Sequence, residues 1–199
     1  MSVTWKAALN AALRKNKRHM PYAKYVQVAT VRADGRGAAN RTVVYRGWLD
    51  QSDACSTLTF VTDSRSAKVA DVAAQPLGEV AWYLPGTREQ FRIHGKLTIV
   101  GGGEAPEELA KARVRAWKAL SDGARKQFCW PHPGLPRESA ATDPFDDPPN
   151  VPAQDEEPAE MFCLMTLEPE VVDHLSLRSN ERYLHSLKDG VWDKAFVNP

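Results

Sequence analysis

A chain of 199 residues with 43% hydrophobic content can bury a sizeable core, which leaves room for one domain or two small ones, with one expected. Its net charge of +1 conceals an asymmetry: residues 131–160 carry eight acidic side chains and one basic, Arg137, and without them the totals of 26 basic and 25 acidic become 25 and 17. That surplus favours an anionic ligand, while three separated cysteines (Cys55, Cys129, Cys163) argue against a disulfide framework, and no stretch reads as a membrane helix or a signal-peptide core, so a cytoplasmic protein is expected.

Trp5, Leu9, Ala12 and Leu13 fall at helical spacing with Thr4 placed to cap. The basic run Arg14-Lys15-Asn16-Lys17-Arg18 closes that helix, where cations complement the C-terminal dipole. A nucleic-acid arm is the alternative use of that run, but no aromatic interleaving follows it. Tyr25 to Arg32 alternates in period two, Asp34-Gly35-Arg36-Gly37 supplies a turn, and Arg41 to Trp48 completes a hairpin. Ser56 to Lys68 changes period halfway. Thr57 to Val61 reads as a strand, whereas Val69, Val72 and Ala73 share one face of a helix beginning near Ser64, capped by Asp63 or Ser64. Thr62, Ser64, Arg65, Ser66 and Lys68 gather at that N-terminus, whose unpaired N–H groups and partial positive charge suit a phosphate; an ordinary cap with solvated cations is the plainer use of the same residues.

Strands are expected over Gly78–Tyr83 and Arg88–Val100, with a Pro85-Gly86 turn between them. Gly101-Gly102-Gly103 is a break, and Glu104 to Phe128 reads as helix in two pieces parted at Ser121-Asp122-Gly123. Residues 131–160 hold eight of the fourteen prolines, so they are expected to cross the surface as an extended or mobile insertion. Met161–Leu167, Val171–Leu177, Arg182–His185 and Trp192–Val197 follow as strands. Seven or more short strands joined mostly by turns predict a mainly β chain, one domain over 1–199, built as a closed antiparallel barrel with flanking helices. Cys129-Trp130-Pro131-His132 has a ligand-like spacing, but two ligands do not close a tetrahedral site, and no metal is expected. His94, His174 and His185 lie on predicted strands without a nucleophile motif beside them and read as structural, and no side chain is nominated as catalytic.

Three clusters stand at fixed stations on these strands: Arg41-Thr42-Val43-Val44-Tyr45-Arg46, Thr62-Asp63-Ser64-Arg65-Ser66-Ala67-Lys68 and Arg88-Glu89-Gln90-Phe91-Arg92-Ile93-His94-Gly95. Together they resemble the pyridoxamine 5′-phosphate oxidase family, and more closely its branch of related FMN-binding proteins, in which a Trp-Tyr strand leads into Thr-Arg-Glu-Gln-Phe-Arg-Ile-x-Gly, as Trp82 to Gly95 does here. Glu181-Arg182-Tyr183 and Trp192 through Pro199 match that family's ending. The resemblance covers nearly the whole chain. It implies an FMN-binding split β-barrel of Greek-key type that forms a homodimer, with each flavin in a cleft between subunits. By the same resemblance Arg41, Ser66 and Lys68 hold the FMN phosphate, and Thr42, Val43, Val44 and Arg65 are further cofactor-binding positions. Arg46 stands where the family usually has lysine, near the pyrimidine side of the ring; Val61 and Thr62 bring backbone and hydroxyl to the ring; Gln90 meets its polar edge; and Arg182 reaches it from the C-terminal strands. Arg41 and Arg46 are five residues apart, so a regular strand would point them to opposite faces.

The departures bear on function. Ala67 occupies a position that is basic in the oxidase, with Arg65 two residues away. The oxidase's Arg-x-His substrate motif is missing before Arg182, and its substrate-gripping Tyr, Arg and Ser align roughly with Trp117, Ser121 and Arg125. The expectation is therefore a homodimeric FMN oxidoreductase acting on a small molecule other than pyridoxamine phosphate. A flavin-binding module without turnover and, from another class, a nucleic-acid-binding barrel are the alternatives.

Overall fold

The computed structural model describes residues 4–17, 20–137 and 143–199. Helix α1 (Thr4–Lys17) leads into β1 (Tyr25–Val31), β2 (Ala38–Val44), the short β3 (Gly47–Trp48) and β4 (Leu58–Asp63). Then come α2 (Ala67–Ala74), β5 (Leu77–Leu84), β6 (Glu89–Val100), α3 (Glu107–Lys118), α4 (Asp122–Lys126) with a 3₁₀ turn at Gln127–Cys129, and β7 (Phe162–Ser176), β8 (Glu181–Lys188) and β9 (Val191–Val197). All strand pairs are antiparallel, in the order β2-β1-β5-β6-β7-β4-β3, with β8 on β7 and β9 on β8.

Alternation places Val26, Val28, Val80, Trp82, Phe91, Ile93 and Leu97 inside the curled sheet, and α1 fills the hollow with Trp5, Leu9 and Ala12. Trp5 packs edge-on against Trp48 and Trp192, at 5.8 and 5.6 Å between ring centres. Strand β7 is buried on both faces over Phe162–Leu167 because Met165 and Leu167 point into this core, whereas Phe162 and Leu164 point outward to α3, Trp117 and Phe128. The curl brings β2 against β4, but among the described residues β2 pairs only with β1 and β4 only with β3 and β7, so a split runs between β2 and β4.

Several boundaries differ from the sequence expectation. Helix α2 starts at Ala67 with Ser66 as N-cap, not near Ser64, because the Asp63 carboxylate is taken by the Arg65 backbone and guanidinium. Thr4 is the first described residue of α1, and its hydroxyl faces the His185 ring at 3.4 Å. The two strands expected either side of Pro169 form the single strand β7. Gly95 pairs with Pro169 and His94 with Val171, which leaves Glu170 as the extra residue of a bulge, and that irregularity accommodates a proline lacking an N–H. At the same bulge β7 changes partner, pairing β4 before it and β8 after it.

His185 is buried opposite Lys194, and burial first, then that charge, pulls its pKa from the ordinary 6.5 to about 4. A ring held neutral in the fold contributes stability that is complete above pH 6.5 and is lost as pH falls toward 4. His185→Gln should flatten the decline of the melting temperature across that window. An acid limb identical to wild type would show that the ring accepts a proton freely in the folded chain.

Candidate functional site

The split between β2 and β4 opens into a cavity of about 830 Å³, within the roughly 300–1,000 Å³ range of small-molecule sites. Thr42, Val43, Val44 and Arg46 line one side, and Val61, Thr62, Asp63, Arg65, Ser66 and Lys68 line another. Nine of these ten, all but Asp63, are positions that the family resemblance gives to the cofactor, and they meet around one space. Regular alternation fails between Val44 and Gly47: the Tyr45 N–H donates to Lys24 O at 2.8 Å, on the β1 side, and the Arg46 N–H donates to Thr59 O at 2.8 Å, on the β4 side. This crossing, with Gly47 at φ +125°, resets the facing of the chain and lets Arg46 line the same cavity as Thr42 and Val44.

Arg41 points to the other face of β2. Its guanidinium donates to Thr30 Oγ1 at 2.8 Å and to Val28 O at 3.2 Å, and pairs with Asp71 Oδ2 at 3.4 Å. Burial pushes the Asp71 carboxyl up, but hydrogen bonds from Thr30 Oγ1 and the Ala33 N–H, together with the Arg41 charge, outweigh it and hold the pKa below the usual range. Asp71 thus fixes α2 to the β1–β2 hairpin. One turn earlier, Lys68 donates to Thr62 Oγ1 at 2.9 Å, and its pKa is lowered by burial and then by the Arg41 charge. Ser66 Oγ makes no capping bond; the Ser66 N–H donates to Asp63 O (3.0 Å) and the Val69 N–H to Ser66 O (2.9 Å), so the first-turn amides of α2 with no acceptor among the described residues are those of Ala67 and Lys68. Lys68, Ser66 and these amides form a set of donors short of acceptors at one end of the cavity. Arg65 is committed elsewhere: it clamps Asp63 at 2.9 and 2.6 Å and donates to Trp130 O at 3.0 Å.

The outer wall comes from residues the sequence reading did not nominate. Phe128, Trp130 to Arg137, Pro144 and Phe145 face the β2–β4 side across the cavity. No helix or strand occurs among the described residues of 131–160, yet side chains of the body bind the segment's backbone. Trp130 Nε1 donates to Phe145 O (3.0 Å), Lys126 Nζ to Asp146 O (3.1 Å), Trp117 Nε1 to Ala153 O (3.1 Å) and Arg113 Nη2 to Ala159 O (3.3 Å). Trp130 and Phe145 also pack edge-to-face at 5.4 Å. The only signal available in the sequence was that pair of aromatics in an otherwise proline-rich and acidic stretch. Cys129 and His132 turn to different carbonyls, Asn150 O and Pro133 O. His174 stacks on Phe91 at 4.1 Å and contacts Glu89 at 3.0 Å, with its pKa lowered chiefly by burial.

Gln90 and Arg182 do not line this cavity. Cross-strand register puts them on the same outer face as Thr42, because Thr42, Gln27, Ala81, Arg92, Asp173 and Leu184 oppose one another in one row and Gln90 and Arg182 are two residues from members of it. They lie three and five strands from β2, about 14 and 24 Å along a sheet with ~4.8 Å spacing. A second hollow of about 330 Å³ adjoins Arg46 and is lined by Lys24, Arg46, Arg115 and Tyr45, with no carboxylate.

Comparison with known proteins bears on what this cavity holds. Residues 2–101 match the family described as pyridoxamine 5′-phosphate oxidase, FMN-binding domain. A relative from Arabidopsis thaliana, pyridoxine/pyridoxamine 5′-phosphate oxidase 2, is 35% identical over 202 residues, covering 98% of this chain and 96% of its own. The crystal structure of a pyridoxamine 5′-phosphate oxidase-related, FMN binding protein from Nostoc punctiforme is 42% identical over the full length of both chains, with a TM-score of 0.90. PhzG from Burkholderia lata, at 16% identity and a TM-score of 0.71 over the whole of this chain and 94% of its own, shares the fold. The donor set fits FMN: a half-buried ammonium, a hydroxyl and free amides at one end suit a phosphate, and Val43, Val44, Val61 and Phe128 offer apolar surface to a ring. The chain belongs to the pyridoxamine 5′-phosphate oxidase FMN-binding family, with a split-barrel fold and FMN as its cofactor.

Proposed function

We propose that the protein is a homodimeric FMN-dependent oxidoreductase acting on a small organic molecule, with Trp130 to Arg137, Pro144 and Phe145 serving as the outer wall of the flavin site in one domain over 1–199. The observation that carries this reading is the convergence of Thr42, Val44, Arg46, Thr62, Ser66 and Lys68 on one cavity while Gln90 and Arg182 lie across the same sheet face. Apposing two copies through that face, where Tyr25 and Tyr83 are each 47% exposed, would bring the partner's Gln90 and the partner's Arg182 to the ring end of this cavity.

Bound FMN supplies two-electron redox chemistry. The chain's own part is positional and electrostatic. Lys68, Ser66 and the α2 amides hold the phosphate, with Arg41 acting from behind through Asp71 and by its charge. The apolar wall excludes water, and Arg46 sets positive charge beside the ring, where it favours added electrons. The substrate differs from pyridoxamine phosphate. Trp117 is fully buried and Arg125 is buried against Leu120 O and Asp122, so neither is free to grip a phosphate. The carboxylate-free hollow beside Arg46 supports an anionic group on the substrate.

Arg46→Gln should leave FMN bound and lower its reduction potential by about 30–60 mV, the shift from removing one charge ~6 Å away at an effective dielectric of ~20. A potential titration at matched FMN occupancy reads this directly, and an unshifted potential would remove Arg46 from the ring. In the same titration a variant with residues 131–156 replaced by a short Gly-Ser bridge should lose FMN. Full retention of flavin would mean that the segment is no wall. A wild-type protein that holds FMN but reoxidises no faster with any small-molecule partner would instead be a flavin carrier, the reading favoured by the missing Arg-x-His motif.

A further inference from the structure

On the outer face of the sheet four charged side chains alternate in sign across β5, β6, β7 and β8: Glu79, Arg92, Asp173 and Arg182. Arg92 donates to Glu79 at 2.8 and 3.1 Å and lies 3.7 Å from Asp173, and Arg182 grips Asp173 through Nε (3.0 Å) and Nη2 (2.8 Å). Pairs as open as Arg92 with Glu79 contribute little to stability, so the ladder's effect is geometric. Asp173, at 9% exposure, is its most buried member and the only one touching both arginines.

We infer that Asp173 is a positioning residue for the flavin site: it fixes the Arg182 guanidinium in the orientation that a second copy of this chain presents to the FMN ring. The inference rests on the dimeric reading above. Two of the five guanidinium N–H groups go to Asp173, which leaves the Nη1 edge pointing onward with its rotamer already set. Register adds a surface for a planar ligand, because Gln90, Leu175 and Arg182 oppose one another in one row of β6, β7 and β8, with an apolar side chain between an amide and a guanidinium. Arg92 bears on the Asp173 carboxylate from the other side, so two cations hold it in place.

The test is a double-mutant cycle on FMN affinity, measured by flavin fluorescence on the dimeric protein for wild type, Asp173→Asn, Arg182→Gln and the pair. Arg182→Gln should weaken FMN about 10-fold, the loss expected for a hydrogen bond to a charged group. Asp173→Asn should weaken it by a similar factor, and the pair should bind no more weakly than Arg182→Gln alone, because both changes remove the same contact. Riboflavin should weaken by the same factors, since the contact is at the ring. Asp173→Glu keeps the charge but lengthens the arm, and should recover part of the loss; it also covers the case in which Asp173→Asn fails to fold. Additive losses, or an Asp173→Asn protein with wild-type affinity beside a weakened Arg182→Gln, would overturn the positioning role alone. Wild-type affinity in Arg182→Gln would overturn the two-copy cleft and the inference with it.

Discussion

Lys68→Met is expected to weaken FMN by about 10- to 100-fold, the loss of a charge-assisted contact of roughly 1.5–3 kcal/mol, with riboflavin affinity unchanged. Lys68 is the informative position because its ammonium is half-buried and rests on a neutral hydroxyl, Thr62 Oγ1 at 2.9 Å, and it forms no ion pair among the described residues. The lowered pKa says the same: burial and the Arg41 charge disfavour its protonated form, and a phosphate dianion would reverse that. Arg41→Ala is a less clean test. Arg41 is the ion-pair partner of the buried Asp71, so its removal loosens α2 as well as the phosphate. Isothermal titration with both ligands separates these effects, and equal losses for FMN and riboflavin in Lys68→Met would place Lys68 away from the phosphate.

Gly95→Ala should lower the melting temperature by about 6–12 °C. A Cβ there would lie 2.0 Å from Glu168 O and 2.8 Å from Pro169 Cα, both backbone atoms that cannot swing aside. Relief requires the β6–β7 ladder to shift where β7 passes from β4 to β8. A forced backbone displacement of that kind costs on the order of 3 kcal/mol, at ~2–4 °C per kcal/mol for a chain of this size. Scanning calorimetry checks it, and a melting point within about 2 °C of wild type would mean the strands do not approach so closely at the bulge.

This bulge also shows where sequence reading stops. Period two identified β1, which buries alternate residues such as Val26 and Val28, whereas β4 was marked by its β-branched and aromatic content and buries Leu58, Thr59 and Phe60 in a row. The reading divided β7 at Pro169, where local chemistry signals a stop, but what carries the strand through is Gly95 on a different strand, and no local pattern records that. The donor cluster at the start of α2 was legible because Thr62, Ser66 and Lys68 are close in sequence and their grouping depends on a helix N-terminus formed on the spot. The outer wall was not, because Trp130 and Phe145 are separated by proline and acidic residues that ordinarily mark solvated chain, and their mutual contact exists only after folding. Gln90 and Arg182 stood out as residues but do not line the cavity of one chain, and the relation to it proposed above needs a second copy.

The split between β2 and β4 couples ligand to stability. A closed barrel would zip those strands with backbone hydrogen bonds, whereas this one lines the gap with Val43, Val61 and Thr62, which FMN would fill in the proposed site. Binding to the folded chain alone adds RT ln(1 + [L]/Kd), about 2.7 kcal/mol at a hundredfold excess over Kd. The folded fraction of this protein then follows free FMN, and a cell short of flavin would lose the barrel to unfolding and proteolysis as well as its chemistry.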